Sequence, residues 1–110
     1  MEINIKEVDV VTVVILAGEI DAKTAPKIQQ QVLPLTEPGN KILMDLSNVP
    51  YMSSAGLRML LSLYRQTTAK NVKLALVGLS EEIEDTMSVT GFLDFFTTYK
   101  NCESGLEALK

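Results

Sequence analysis

Histidine is absent from this chain of 110 residues, and so is tryptophan. Without an imidazole there is no Ser-His-Asp or Cys-His catalysis and no histidine-ligated zinc or iron. The one cysteine, Cys102, can form neither an internal disulfide nor a thiolate cage for a metal. A reducing compartment is therefore expected, cytoplasmic by default. No block of lysine or arginine occurs and the net charge is −4, so the electrostatic footprint of nucleic-acid binding is missing. Fully apolar stretches run for only a few residues. The opening Met1-Glu2-Ile3-Asn4-Ile5-Lys6 has neither the basic start nor the apolar run of a secretory signal. Neither a membrane span nor a cleaved leader is expected.

Apolar residues make up 46% and charged residues 22%, close to the soluble globular average. A chain of this length buries one core, with an expected radius of gyration of about 13 Å. One domain, residues 1–110, is expected. The charge balance suits a protein that meets other proteins.

Periodicity orders the chain as β-β-α-β-α-β-α-β-α. Ile3 and Ile5 alternate with polar neighbours, which predicts a strand over 1–6 and a turn at Glu7-Val8-Asp9. Val10 to Ala17 is rich in β-branched residues and reads as a central strand buried on both faces. Gly18 ends it. Ala25, Ile28, Val32 and Leu35 recur at helical spacing after a cap at Asp21 or Thr24, and Pro34 ends the regular part. Lys41 to Leu46 is a strand. A helix from Ser54 to about Lys70 is expected to bury Leu57, Leu60, Leu61 and Tyr64 and to expose Arg58 and Arg65. Val72 to Val77 is the next strand. Ser80 caps a third helix whose acidic start suits the helix dipole. Ile83, Met87 and Val89 or Thr90 form its apolar side, and Gly91 stops it. Phe96 to Tyr99 reads as a short edge strand, and Glu103 to Leu109 as a last helix. The fold class is α/β, with a mostly parallel sheet, an antiparallel N-terminal hairpin and about four helices.

One segment stands apart: Asp45-Leu46-Ser47-Asn48-Val49-Pro50-Tyr51-Met52-Ser53-Ser54-Ala55-Gly56-Leu57-Arg58. A strand ends, two serines follow, and a helix begins. Gly56 in the first helical turn costs roughly 1 kcal/mol relative to alanine. Close approach of another group to bare backbone amides would justify it, and a helix start can hold an anion. The plainer reading makes Ser54 a helix cap and Ser53 loop polarity. Ser54-Ala55-Gly56 matches half of a nucleophile elbow, but Met52 replaces its first glycine and no histidine can act as base. No phosphate-binding loop of the G-x-x-x-x-G-K-[ST] form is present. A small enzyme or nucleotide-binding domain is thereby disfavoured, and no cofactor is expected.

The string DLSNVPYMSSAGLR resembles the signature of the STAS domain, the fold of bacterial anti-sigma factor antagonists: D-L-S-x-V-x-[FY]-[ML]-D-S-[ST]-G-L-G between strand and helix. Leu16-Ala17-Gly18-Glu19-Ile20-Asp21-Ala22-Lys23-Thr24-Ala25 is similar to the family's L-x-G-E-[IL]-D-x-x-[ST]-[AS]. Met87 to Phe92 resembles its late helix ending in S/T-G-[LF].

The resemblance implies a non-enzymatic phospho-switch. An unphosphorylated antagonist binds an anti-sigma factor serine kinase of the histidine-kinase-like ATPase type and frees the sigma factor. Phosphorylation ends that binding, and a PP2C-type phosphatase reverses it. The family phosphoserine, two residues before the motif glycine, maps onto Ser54, with Ser53 as a rival acceptor. The implied partner-facing set is Asp21, Thr24, Ser53, Ser54, Gly56 and Arg58. Three positions depart from the pattern: Ser53 stands for aspartate, Ala55 for serine or threonine, and Arg58 for glycine. Arg58 lies four residues beyond Ser54, within reach of a phosphate there. The alternative within the family is a scaffold or signalling protein with a non-sigma output. For Asp21 alone a helix cap is the plainer role. Cys102 reads as a packed or surface thiol, and Phe92, Phe95 and Phe96 as core.

Overall fold

The computed structural model describes residues 1–110. Five strands form one sheet in the order β1-β2-β3-β4-β5: Glu2–Val8, Val11–Ala17, Lys41–Asn48, Lys73–Val77 and Thr97–Tyr99. The first pair is antiparallel and the other three are parallel. Four helices complete the domain: α1 (Ala25–Val32), α2 (Ser54–Ala69), α3 (Glu81–Val89) and α4 (Cys102–Leu109). Short 3-10 turns at Leu33–Leu35 and Phe92–Phe95 were not expected from the periodicity. The radius of gyration is 12.5 Å.

Strand alternation divides the core into two layers. Val14 and Leu16 of β2, Ile42, Met44 and Leu46 of β3, and Leu76 of β4 pack under α1, α2 and α3. Val11, Val13, Leu43, Ala75 and Val77 point the other way and pack on α4 through Leu106 and Leu109. The strands buried on both faces are therefore the near-continuous apolar runs, as parallel pairing requires.

Five expectations are corrected. The hairpin turn is Asp9-Val10, because pairing continues to Val8 opposite Val11. Asp9 takes the left-handed backbone, φ 57°, which aspartate tolerates better than a β-branched residue. The buried arc of α2 is Gly56, Leu57, Met59, Leu60, Leu63 and Thr67, turned about a quarter of the helix circumference from the expected stripe. Leu61 and Tyr64 are only half-buried. The reason is tertiary: α1 lies along one flank of α2, while Phe95 and Phe96 pack against Tyr64 at the other, tilted and edge-on, with ring centroids 5.5 and 5.6 Å away. On α3 only Ile83 and Met87 are buried, and Val89 is 88% exposed. Phe96 precedes β5 rather than opening it, and Phe95 is half-exposed rather than core.

Other expectations hold. The Ser80 hydroxyl accepts from the Ile83 amide at 3.2 Å and caps α3. Gly91, φ 79°, ends that helix in the left-handed conformation that favours glycine. Arg58 and Arg65 face water.

Candidate functional site

The C-terminal ends of the adjacent parallel strands β2 and β3 carry the two motif segments, and hydrogen bonds join them side by side. Gly18 N–H donates to the Asn48 carbonyl at 3.0 Å. Ile20 N–H donates to the Tyr51 carbonyl at 3.0 Å, and Ser53 N–H donates to the Ile20 carbonyl at 2.8 Å. Ile20 and Met52 thus form an isolated parallel bridge beyond the strands proper. Both side chains are buried. Pro50 has no N–H to give, and the pairing passes it by, using the carbonyl of Tyr51 instead.

Gly56 sits directly beneath this bridge. A Cβ there would lie 2.6 Å from Met52 Cγ and 2.8 Å from Ile20 Cγ2, far inside van der Waals contact. The close approach that the glycine permits is therefore made by the chain's own side chains, not by an anion at the amides. Gly56 is buried, so of the expected partner-facing set it supports the surface from below.

The two serines have different fates. Ser53, not Ser54, occupies the N-cap of α2, with φ −79° and ψ 174°. Its carbonyl accepts the first helical bond, from Leu57 N–H at 3.1 Å. Its hydroxyl makes no capping bond and is buried without a partner. Ser54 is the first helical residue and is exposed. Its hydroxyl stands at the end of α2 where amides are unpaired and the dipole is positive. Arg58, one turn further on, is also exposed. The only ion pair in the molecule is Lys110–Glu107, so the Arg58 guanidinium has no carboxylate of its own.

In the neighbouring loop Asp21 and Thr24 hold each other. Asp21 Oδ1 accepts from the amides of Lys23 at 2.9 Å and Thr24 at 3.0 Å. The Thr24 hydroxyl accepts from Asp21 N–H and donates to the Glu19 carbonyl, both at 2.9 Å. These bonds order the turn that leads into α1. Thr24 is the residue at the N-cap position, but the side chain that takes up free amides is that of Asp21. The Thr24 amide, then that of Lys23, holds the Asp21 carboxyl below its ordinary value. The Thr24 hydroxyl is engaged within the loop, whereas Asp21 is half-exposed.

The sequence reading missed Ile20 and Met52, although the awkward Gly56 signalled that something pressed on the helix start. It also missed two hollows flanking the first turn of α2. One, about 300 Å³, runs between α1 and α2 past Ala22, Gln29, Ala55 and Arg58. The other, about 110 Å³, lies between the loop and α3, among Tyr51, Met52, Leu57, Glu82 and Ile83. Cys102 is on the opposite face of the sheet, half-buried, and burial raises its thiol pKa. No group of His, Cys, Asp or Glu side chains could hold a metal. No helix is long and apolar enough to cross a membrane.

A mixed five-stranded sheet, helices on both faces, and an exposed Ser54 beside two loops joined by hydrogen bonds define a small α/β module. The STAS domain pattern matches residues 2–105, and the chain belongs to that family. The anti-sigma-B factor antagonist of Listeria monocytogenes is 35% identical over 106 residues, covering 94% of this chain and 91% of the relative. That of Bacillus subtilis is 30% identical over 92 residues, 84% of each chain. The crystal structure of an anti-sigma factor antagonist from Mycobacterium paratuberculosis matches with a TM-score of 0.87 at 26% identity, over 98% of this chain and 92% of that one. The chain is thus related to anti-sigma factor antagonists.

Proposed function

We propose that this protein is an anti-sigma factor antagonist that switches partners through the phosphorylation state of Ser54. In the unphosphorylated form it binds an anti-sigma factor serine kinase of the histidine-kinase-like ATPase type in the cytoplasm, and the sigma factor is released. Phosphorylation of Ser54 ends the binding, and a PP2C-type phosphatase restores it.

The observation that carries this reading is the contrast between the two serines in a chain related to such antagonists. Ser54 presents an exposed hydroxyl at the first position of α2, while the Ser53 hydroxyl is buried. A kinase must reach the oxygen it modifies. Ser54 satisfies that need without any unfolding of the loop. Asp21 lies on the loop bonded to this one, so a partner that covers Ser54 meets Asp21 on the same surface. A phosphoryl group adds about −1.5 to −2 charges. A partner surface shaped around a neutral hydroxyl would have to desolvate them, at several kcal/mol for an unmatched charge.

The test is to purify the chain from its host with whatever it binds, then incubate it with the recovered kinase and ATP and map the modified peptide. Recovery of a kinase that also binds a sigma factor, with phosphate on Ser54, supports the reading. Phosphate on Ser53 in a Ser54→Ala protein refutes the choice of site. Partners without any sigma factor would point to a scaffold or signalling output instead.

A further inference from the structure

Beyond the loop that carries Glu19 and Asp21, charge is sorted around Ser54. Although the chain carries a net charge of −4, no carboxylate occurs between Asp21 and Glu37 or between Asp45 and Glu81. Those stretches contain all of α1 and α2. Their cations on α2 are Arg58 and Arg65, and neither is ion-paired. Arg58 lines the hollow between α1 and α2. Arg65 follows seven residues later, about two turns along the same side. Across the first turn of α2 the sign reverses. Glu81, Glu82, Glu84 and Asp85 crowd the start of α3, and no lysine or arginine occurs between Lys73 and Lys100. Glu82 lines the smaller hollow beside Tyr51 and Leu57.

We propose that this two-signed face docks a protein whose contact surface is acidic opposite the α1–α2 hollow and basic opposite α3. The proposal rests on the function inferred above and names the partner's chemistry at the same site. A dipolar patch fixes orientation as well as attraction. A partner turned by half a circle about Ser54 would set like charges together, so only one rotation brings its active centre to the Ser54 hydroxyl. The smaller hollow, about 110 Å³, takes the aliphatic stem of one lysine or arginine, whose head reaches Glu82. Continuous polyanions fit poorly. A nucleic-acid backbone or anionic membrane attracted to Arg58 would also meet the four carboxylates of α3, within a few Debye lengths of about 8 Å.

The experiment measures association and dissociation rates with the kinase recovered from the host, at about 0.05 M and about 0.5 M salt. Arg58→Glu and Glu82→Lys are compared with Lys73→Glu. Lys73 begins β4, at the end of the sheet away from Ser54. Circular dichroism confirms that each variant is folded. Arg58→Glu and Glu82→Lys are each expected to slow association about tenfold at low salt, with most of the difference gone at high salt. Lys73→Glu should stay within about twofold of the unaltered chain. Binding indifferent to both Arg58→Glu and Glu82→Lys overturns the proposal while leaving the phospho-switch intact. Failure of the unaltered chain to bind any such kinase overturns both. Retention on heparin that Arg58→Glu abolishes would assign the patch to a polyanion and also overturn the proposal.

Discussion

The Ser53 amide donates to the Ile20 carbonyl across 2.8 Å, and this one bond ties the helix cap of α2 to the loop that carries Asp21. With the reciprocal bond from Ile20 to Tyr51, it makes two sequence motifs about thirty residues apart into one rigid surface. Ile20 and Met52 then fill the space over Gly56, so the position of Ser54 depends on packing below it as well as on bonds beside it.

Replacing Gly56 by alanine should destabilise the domain, although alanine is the better helix former. The propensity gain is about 1 kcal/mol. Against it stand Cβ contacts of 2.6 and 2.8 Å with Met52 and Ile20, and overpacking costs typically ~1–3 kcal/mol. A net loss of about 1 kcal/mol or more is expected in urea denaturation. A midpoint that rises in Gly56→Ala would show that the bridge yields easily.

Ser53→Ala should leave stability unchanged or raise it slightly, and should leave Ser54 a full substrate for the kinase. The Ser53 hydroxyl is buried without a partner. Removing such a group relieves a desolvation cost of about 1–3 kcal/mol, offset in part by the weaker packing around the smaller side chain. Ser54→Ala should fold equally well and accept no phosphate. Thermal melting and peptide mapping of the two single variants check both statements. A destabilised Ser53→Ala protein would mean that the hydroxyl is hydrogen-bonded in solution.

Acid should loosen the Asp21 loop. The folded carboxyl pKa is lowered by the amides of Thr24 and Lys23 from an ordinary value of 3.8. The contribution is therefore fully present above that value and is lost as pH falls through the lower folded pKa. In Asp21→Asn the stability of the domain should fall less steeply below about pH 4 than in the unaltered chain. Amide shifts of Lys23 and Thr24, followed by NMR from about pH 6 downward, should titrate together at a pH below 3.8. A midpoint above 3.8 would contradict the sign.

Phosphorylation of Ser54 should block binding without opening the fold. At the first position of α2 the added charge meets free amides and the positive end of the helix dipole, a local gain of typically ~0.3–1 kcal/mol. Melting temperatures of the two forms should agree or favour the phosphorylated one. Affinity for the kinase should fall by about a hundredfold or more, since each 1.4 kcal/mol is roughly a factor of ten. Ser54→Asp should reproduce part of that loss. Equal affinity of the two forms sinks the switch, and a large drop in melting temperature would make unfolding its mechanism.

Local rules in the sequence were enough for the element order, the Ser80 cap, the Gly91 stop and the exposure of Arg58 and Arg65, because each depends on neighbours within one helical turn or one strand alternation. The loop-plus-helix segment around Ser54 was legible for the same reason, as was the departure at Gly56. Only the tertiary structure decided which groups press on Gly56, since Ile20 and Met52 meet through a parallel bridge that no local spacing encodes. It also decided which serine hydroxyl is buried. The two are adjacent and chemically alike, and the hydrogen bond from Ser53 to Ile20 draws one inward while the start of α2 turns the other out. The phase of α2 was settled in the same way. Its apolar residues cover more than one stripe, and the flanking α1 and the Phe95–Phe96 pair choose among faces that the helix alone leaves nearly equivalent.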